Sequence, residues 1–296
     1  MRRILLFLLT NLAVLLLFGI IAHLFGVDRW TAARGLGGLG PLLLFAAVLG
    51  MGGAFVSLAM SKWVAKRTTG LLVITEPRGE AETWLVATVR EHAQRAGIGM
   101  PEVAIYEAPE INAFATGARR DHALVAVSTG LLQQMDRDQI RAVLGHEIGH
   151  VANGDMVTLA LLQGVLNTFV IVAARVIGNV VDGWLSGGRD NRGGGIGYFV
   201  VVMVLQFVLG LLATMVVMAF SRWREFHADA AGARLAGRND MIAALERLKL
   251  NHGESTLPKA MAAFGISGPL AQGFQRLFMS HPPLDERIAA LRSSPV

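Results

Sequence analysis

The sequence predicts a mostly helical α+β domain with a small sheet, combined with four transmembrane helices. Three observations carry this. Hydrophobic residues make up 53% of the 296 positions and charged residues only 17%, against about 25% charged in an ordinary soluble domain, so a membrane is implied. The apolar residues gather into four stretches free of Asp, Glu, Lys and Arg, each near the ~20 residues that cross a bilayer. The polar segments between and after them carry helical and alternating periodicities.

The first apolar stretch is Ile4–Val27. It exceeds the h-region of a signal peptide, about 7–15 residues, and lacks a small-x-small cleavage site, so it reads as an uncleaved anchor. The second is Gly35–Ser61, the third Met156–Ala174 with Arg175 near its far end, and the fourth Gly193–Ser221. Arg2 and Arg3 precede the first, Lys62, Lys66 and Arg67 follow the second, and Arg222 and Arg224 follow the fourth. The loops Asp28–Arg34 and Asp182–Arg192 are mixed in sign. The positive-inside rule then places both termini and both large polar segments in the cytoplasm. Arg175 is costly at membrane depth unless it snorkels or faces protein. Residues 156–220 therefore read as a second transmembrane pair or as a membrane hairpin packed on the polar domain. The organisation expected is a helix pair over 1–61, a first cytoplasmic region over 62–155, the second pair over 156–220 and a second cytoplasmic region over 221–296.

Within the first polar region, Gly70–Thr75 is β-rich and Ala81–Ala96 has helical periodicity, with Trp84, Leu85 and Val89 on one face. Glu102–Glu107 alternates as a strand. Asn112–Thr116 and Ala123–Ser128 read as two more, joined by the polar turn Gly117–Asp121. Asp136 opens a helix as N-cap, with Gln139 three residues on in a capping-box arrangement. That helix ends at Asn153-Gly154. The segment after Ser221 is helical, Asn239 or Asp240 caps a helix through Leu250, and a short helix closes the chain near Asp285–Leu291.

Net charge is +5, yet no basic stripe with interleaved aromatics appears, so no nucleic-acid partner is expected. The cations sit beside apolar runs, as juxtamembrane anchors do. With no cysteine in the chain, disulfides and thiolate ligands are excluded, and any metal must use histidine and carboxylate.

The helix that Asp136 opens carries His146-Glu147-Ile148-Gly149-His150. Residues four apart share a helix face. Both imidazoles can then reach one metal ion while Glu147 addresses a water on it. A catalytic zinc needs a third protein ligand and an open position, and here that ligand must be a carboxylate or another histidine. Asp155 lies five residues past His150 and points elsewhere on a continued helix. Glu225 and Asp229 follow the fourth apolar stretch at i, i+4 spacing, so one can ligate while the other hydrogen-bonds a ligand histidine. Ordinary ion pairing of Glu225 with Arg222 or Arg224 is the alternative.

These motifs, with Asn112-Ala-Phe-Ala-Thr-Gly117, Ser280-His-Pro-Pro-Leu-Asp-Glu-Arg287 and the opening Leu-Phe-Leu-Leu-Thr-Asn-Leu-Ala, resemble the HtpX heat-shock membrane proteases of the M48 zinc-peptidase group. The likeness spans essentially the whole chain. It implies an α+β zinc-metallopeptidase domain and a cytoplasm-facing endopeptidase of the bacterial inner membrane. Its clients would be misfolded or damaged membrane proteins, in partnership with other membrane quality-control proteases. By this resemblance His146, His150 and Glu225 bind one Zn2+, Glu147 is the general base, and Asp229 supports a ligand. Asn112, Ala113, Phe114 and Ala115 match an edge strand that takes extended substrate. His281 and Arg287 match a C-terminal motif that assists near the active site, His281 with the chemistry and Arg287 with substrate. The rival readings are a zinc sensor or transporter and a holdase-like scaffold. A transporter places its ionisable ligands within the spans, and neither rival needs Glu147. Phe264–Phe278 is a further expectation, as a mobile cover over the site.

Overall fold

The computed structural model describes residues 39–185, 196–251 and 276–293. The expected first span, Ile4–Val27, and most of Phe264–Phe278 lie outside them. In chain order the elements are α1 (Leu39–Thr69), β1 (Leu72–Val73), α2 (Gly79–Ala96), β2 (Glu102–Tyr106), β3 (Ala113–Thr116), β4 (Leu124–Ser128), α3 (Thr129–Gln134), α4 (Arg137–Asn153), α5 (Asp155–Leu185), α6 (Ile196–Ala236), α7 (Arg238–Asn251) and α8 (Leu284–Ser293). They fall into two units. Of the described residues, one unit joins those up to Val56 with those between Leu161 and Ala213, and the other joins Ser57–Ala160 with those from Thr214 onward.

Among the described residues three helices, α1, α5 and α6, are long and apolar enough to cross a membrane. In the first unit α1 and α5 meet through small residues. Thr168 Oγ1 donates to the Ala46 carbonyl at 3.2 Å, and a Cβ at Gly50 would stand 2.4 Å from that hydroxyl, so only glycine allows the approach. Phe169, Val165 and Phe207 remain largely exposed, the composition of a surface that meets lipid rather than water. Helix α5 passes Arg175 without a break. The guanidinium lies 4.9 Å over the Phe45 ring, an aromatic contact that offsets part of its desolvation.

The second unit is built on a four-stranded mixed sheet of order β1-β2-β4-β3. β2 and β4 run parallel, with Ala104 opposite Ala126. β3 pairs antiparallel with β4, with Phe114 opposite Ala126, which makes β3 an edge. All of β4 is buried, and its alternation divides the core. Val125 and Val127 join Leu85, Val89, Leu144 and Ile148 beneath α2 and α4, while Leu124 and Ala126 join Leu71 and Tyr106 on the other face. Lys62, at the end of α1, binds Glu102 Oε1 at 2.8 Å and the His122 carbonyl at 3.0 Å, which ties that helix end to the sheet.

Helix α4 begins and ends where its sequence signals place it. Asp136 accepts from the Gln139 amide at 2.8 Å in a completed capping box, and Gly154 closes the helix at φ 70°. Helix α3 was not anticipated. It is nucleated by Ser128, whose hydroxyl accepts from the Leu131 amide at 3.0 Å.

His92 fastens α2 to α4. It is fully buried, its Nε2 donates to the Arg141 carbonyl at 3.0 Å, and its Nδ1 is buried without a partner. Burial pushes its pKa below the usual 6.5, opposed only in part by the hydrogen bond to Arg141. Below pH ~6.5 the unfolded chain takes up a proton that this site disfavours, so stability is complete above that pH and declines as pH falls. In detergent, the unfolding midpoint should drop between about pH 7 and pH 5.5, and His92→Gln should show a shallower slope; equal slopes would exclude His92 as a source of the acid sensitivity.

Candidate active site

Helix α4 presents His146, Glu147 and His150, all buried. The i, i+4 spacing turns both histidines the same way, and their Nε2 atoms stand 3.1 Å apart. Helix α6 brings Glu225, 1% exposed, with Oε1 3.3 Å from His150 Nε2 and Oε2 3.6 Å from His146 Nε2. One potential ligand atom from each of the three lies within 4.8 Å of the others.

Glycine and alanine make this meeting possible. A Cβ at Gly145 would lie 3.2 Å from Gly232 Cα, one at Gly149 would lie 2.7 Å from Ala231 Cβ, and one at Gly232 would lie 3.2 Å from the Ala142 carbonyl oxygen. The two helices thus cross at backbone contact, one turn from the ligands.

The far nitrogens of both rings are also engaged. His146 Nδ1 donates to Asp229 Oδ1 at 2.9 Å, and His150 Nδ1 donates to Asp155 Oδ2 at 2.6 Å. Each Nε2 is thereby left free to ligate a metal ion. Arg287 backs Asp229 through Nε at 2.7 Å and through a second guanidinium nitrogen at 2.5 Å. Arg224 approaches Asp155 at 3.9 Å. Asp155 is the functional residue that sequence reasoning discarded. A continued helix would point it away, but Gly154 enters the left-handed region and α5 restarts at Asp155, which swings the carboxylate back onto His150. An acidic residue directly after a glycine stop was the available signal.

Burial alone would lower the pKa of His150, but Asp155 and Glu225 outweigh it and raise the value to about 9. Metal uptake at that nitrogen releases the proton. Burial likewise opposes the charge on Arg287, and the Asp229 carboxylate outweighs it, raising the guanidinium above its ordinary value.

The residues fit a metal ion. Both carboxylate oxygens of Glu225 are buried and make no well-aligned hydrogen bond among the described residues, although nitrogens of His150, His281 and Arg287 stand at ion-pair distance; a cation between the carboxylate and the imidazoles would complete its coordination. Two imidazoles, one carboxylate and no thiolate form a donor set that catalytic zinc accepts.

The other expected residues are placed as follows. His281 is 63% exposed, with Nδ1 2.7 Å from Glu225 Oε2. Arg287, expected to meet substrate, is buried and pairs with Asp229, with a third nitrogen 3.3 Å from Glu225. Ala113, Phe114 and Ala115 lie on the edge strand β3. Asn112 precedes it, pinned by its carbonyl to the Ser128 amide at 2.9 Å.

The model of peptidase family M48 matches residues 80–294. The chain belongs to peptidase family M48. Among its relatives, the Protease HtpX of Xanthomonas campestris pv. campestris (strain 8004) is 65% identical over 293 residues, covering 99% of this chain and 98% of that one. The Protease HtpX of Stenotrophomonas maltophilia (strain R551-3) is 64% identical over 294 residues, covering 99% of each. The crystal structure of S. mikatae Ste24p is similar in fold, with a TM-score of 0.63 at 17% identity, over 98% of this chain and 67% of that one. This member of the M48 family is a metalloendopeptidase associated with a membrane, and His146, His150 and Glu225 can hold its metal ion.

Gly149→Val should destabilise the helix crossing by about 1–3 kcal/mol or more, read as a lower melting temperature together with weaker metal retention; a wild-type melting temperature would show that the crossing has slack. Asp155→Asn should weaken metal affinity by about 10–100-fold, measured by competition with a chromogenic chelator, while the fold stays intact by circular dichroism.

Proposed function

We propose that the chain is a zinc-dependent endopeptidase of the bacterial inner membrane, acting on misfolded or damaged membrane proteins. One observation carries this reading: three convergent metal-binding side chains share their helix crossing with Glu147, a carboxylate adjacent to one of them. Four spans with both termini and the site on the cytoplasmic side fit the placement of Lys and Arg around the apolar stretches. Other membrane quality-control proteases would share its clients.

In this reading His146, His150 and Glu225 are the zinc ligands. Bound there, zinc would lower the pKa of a water to about 7 and polarise the scissile carbonyl. Glu147 takes a proton from the attacking water and returns it to the leaving amine. Asp229, held by Arg287, and Asp155 lock both histidines with Nδ1 protonated and Nε2 facing inward. His281, exposed beside Glu225, is placed to donate to the developing oxyanion. Extended substrate adds to the open edge of β3 at Ala113–Ala115, where main-chain hydrogen bonds supply affinity with little dependence on sequence.

Purified protein in detergent should cleave casein, lose the activity to a chelator and regain it with zinc. Glu147→Gln should keep stoichiometric zinc and lose about 100-fold or more in kcat; substantial cleavage by that variant in a contaminant-free preparation would exclude Glu147 as the base.

A further inference from the structure

Beside the metal cluster lies a cavity of about 290 Å³ whose wall includes His150. It opens where the edge strand β3 ends, at Thr116 and Gly117, and its floor is formed by Val151, Met156 and Val157. Two arginines, Arg119 and Arg120, complete the wall, and among the described residues no Asp or Glu lines it. The Arg119 carbonyl accepts from the His122 amide at 3.2 Å, but neither guanidinium forms a hydrogen bond or ion pair with any of the described residues. Arg120 rests against the C-terminal turn of α4. A Cβ at Gly154 would meet its guanidinium at 3.5 Å, so the glycine stop leaves room for it, and the negative end of the helix dipole favours a cation there.

We propose that this cavity is a substrate subsite selective for a carboxylate, with Arg119 and Arg120 as the specificity-determining residues. The inference rests on the peptidase reading above and adds a side-chain preference to it. A peptide paired with β3 passes the strand end on its way to His150, and alternate side chains of a strand project to one side. The cavity has the volume for a single side chain or a chain terminus. Two guanidiniums that form no ion pair with the described residues present planar donor pairs that match a carboxylate, since the nearby Asp121 and Asp155 are taken up by the Gly99 amide and by His150, while the apolar floor holds the aliphatic stem. The occupant is an Asp or Glu side chain near the cleaved bond or the free C-terminal carboxylate of a fragment. Main-chain pairing on β3 then gives general affinity, and the arginine pair sets the register of cleavage.

The test uses the full chain loaded with zinc in neutral detergent. The probes are ten-residue quenched peptides of Ala and Leu in which Glu, Gln or Lys is scanned through every position, each with a free or an amidated C-terminus. At one position Glu should exceed Gln by about tenfold in kcat/KM, with Lys below both. A terminal carboxylate as occupant would appear instead as a comparable loss on amidation. Arg119→Gln with Arg120→Gln should bring the ratio to within about twofold of unity. Arg119→Glu with Arg120→Glu should reverse it in favour of Lys, a gained preference that a folding defect cannot mimic. Peptide cleavage with no dependence on charge or terminus would overturn the subsite and leave the peptidase intact. A variant effect that appears only in anionic lipid vesicles would also overturn it and assign the pair to headgroups. If no peptide is cleaved, the peptidase reading is what fails. Anisotropy of the same peptides, labelled, on Glu147→Gln protein then decides the subsite, with the same order of Glu over Gln over Lys expected and equal binding overturning it.

Discussion

The site depends on two helices coming into backbone contact. Glu225 cannot join His146 and His150 unless α4 and α6 approach more closely than ordinary side chains permit. Gly145 and Gly149 on one helix face Ala228, Ala231 and Gly232 on the other. The packing density of a core turns this into a fixed distance, because side chains of zero or one carbon leave no soft atoms to compress. The glycine within the His-Glu-Ile-Gly-His run therefore sets the spacing between the ligand helices, in addition to separating Glu147 from His150.

Close approach alone would bury charge at a loss. Glu225 and Asp229 are each 1% exposed, and carboxylates at that depth need partners. Asp229 has His146 and Arg287, and Arg287 comes from α8, near the end of the chain. Helix α8 is thus fastened to the candidate metal site through one guanidinium, which holds the Asp229 carboxylate in place. Asp155 plays the matching part for His150 from the first residue of α5. Each of the two histidines is aimed by a carboxylate from a different helix, so the orientation of the two rings reports on the packing of the whole unit.

Much of this was legible in the chain. The capping box at Asp136 and Gln139, the stop at Gly154 and the three longer strands were read from patterns a few residues long, because helix caps and strand alternation are local. Helix α3 escaped because Ser128 serves two elements, the end of β4 and the cap of α3, and was read only as the former. Asp155 escaped because helical extrapolation fails at a left-handed residue, and the pairing of Arg287 with Asp229 was not legible because the two lie 58 positions apart.

The sequence by itself determined the apolar segments, the helix bearing His146, Glu147 and His150, and the absence of any thiolate ligand. These follow from composition and from the 3.6-residue turn, which need no knowledge of what lies across the core. Only the tertiary structure decided that Glu225 meets the histidines while Asp229 turns to the back of His146, that Asp155 returns to His150, and that β3 is an edge beside a cavity walled by Arg119 and Arg120. Each of these is a distance between residues far apart in the chain or across a backbone reversal. Such distances are set by which surfaces pack, and no local spacing rule encodes them.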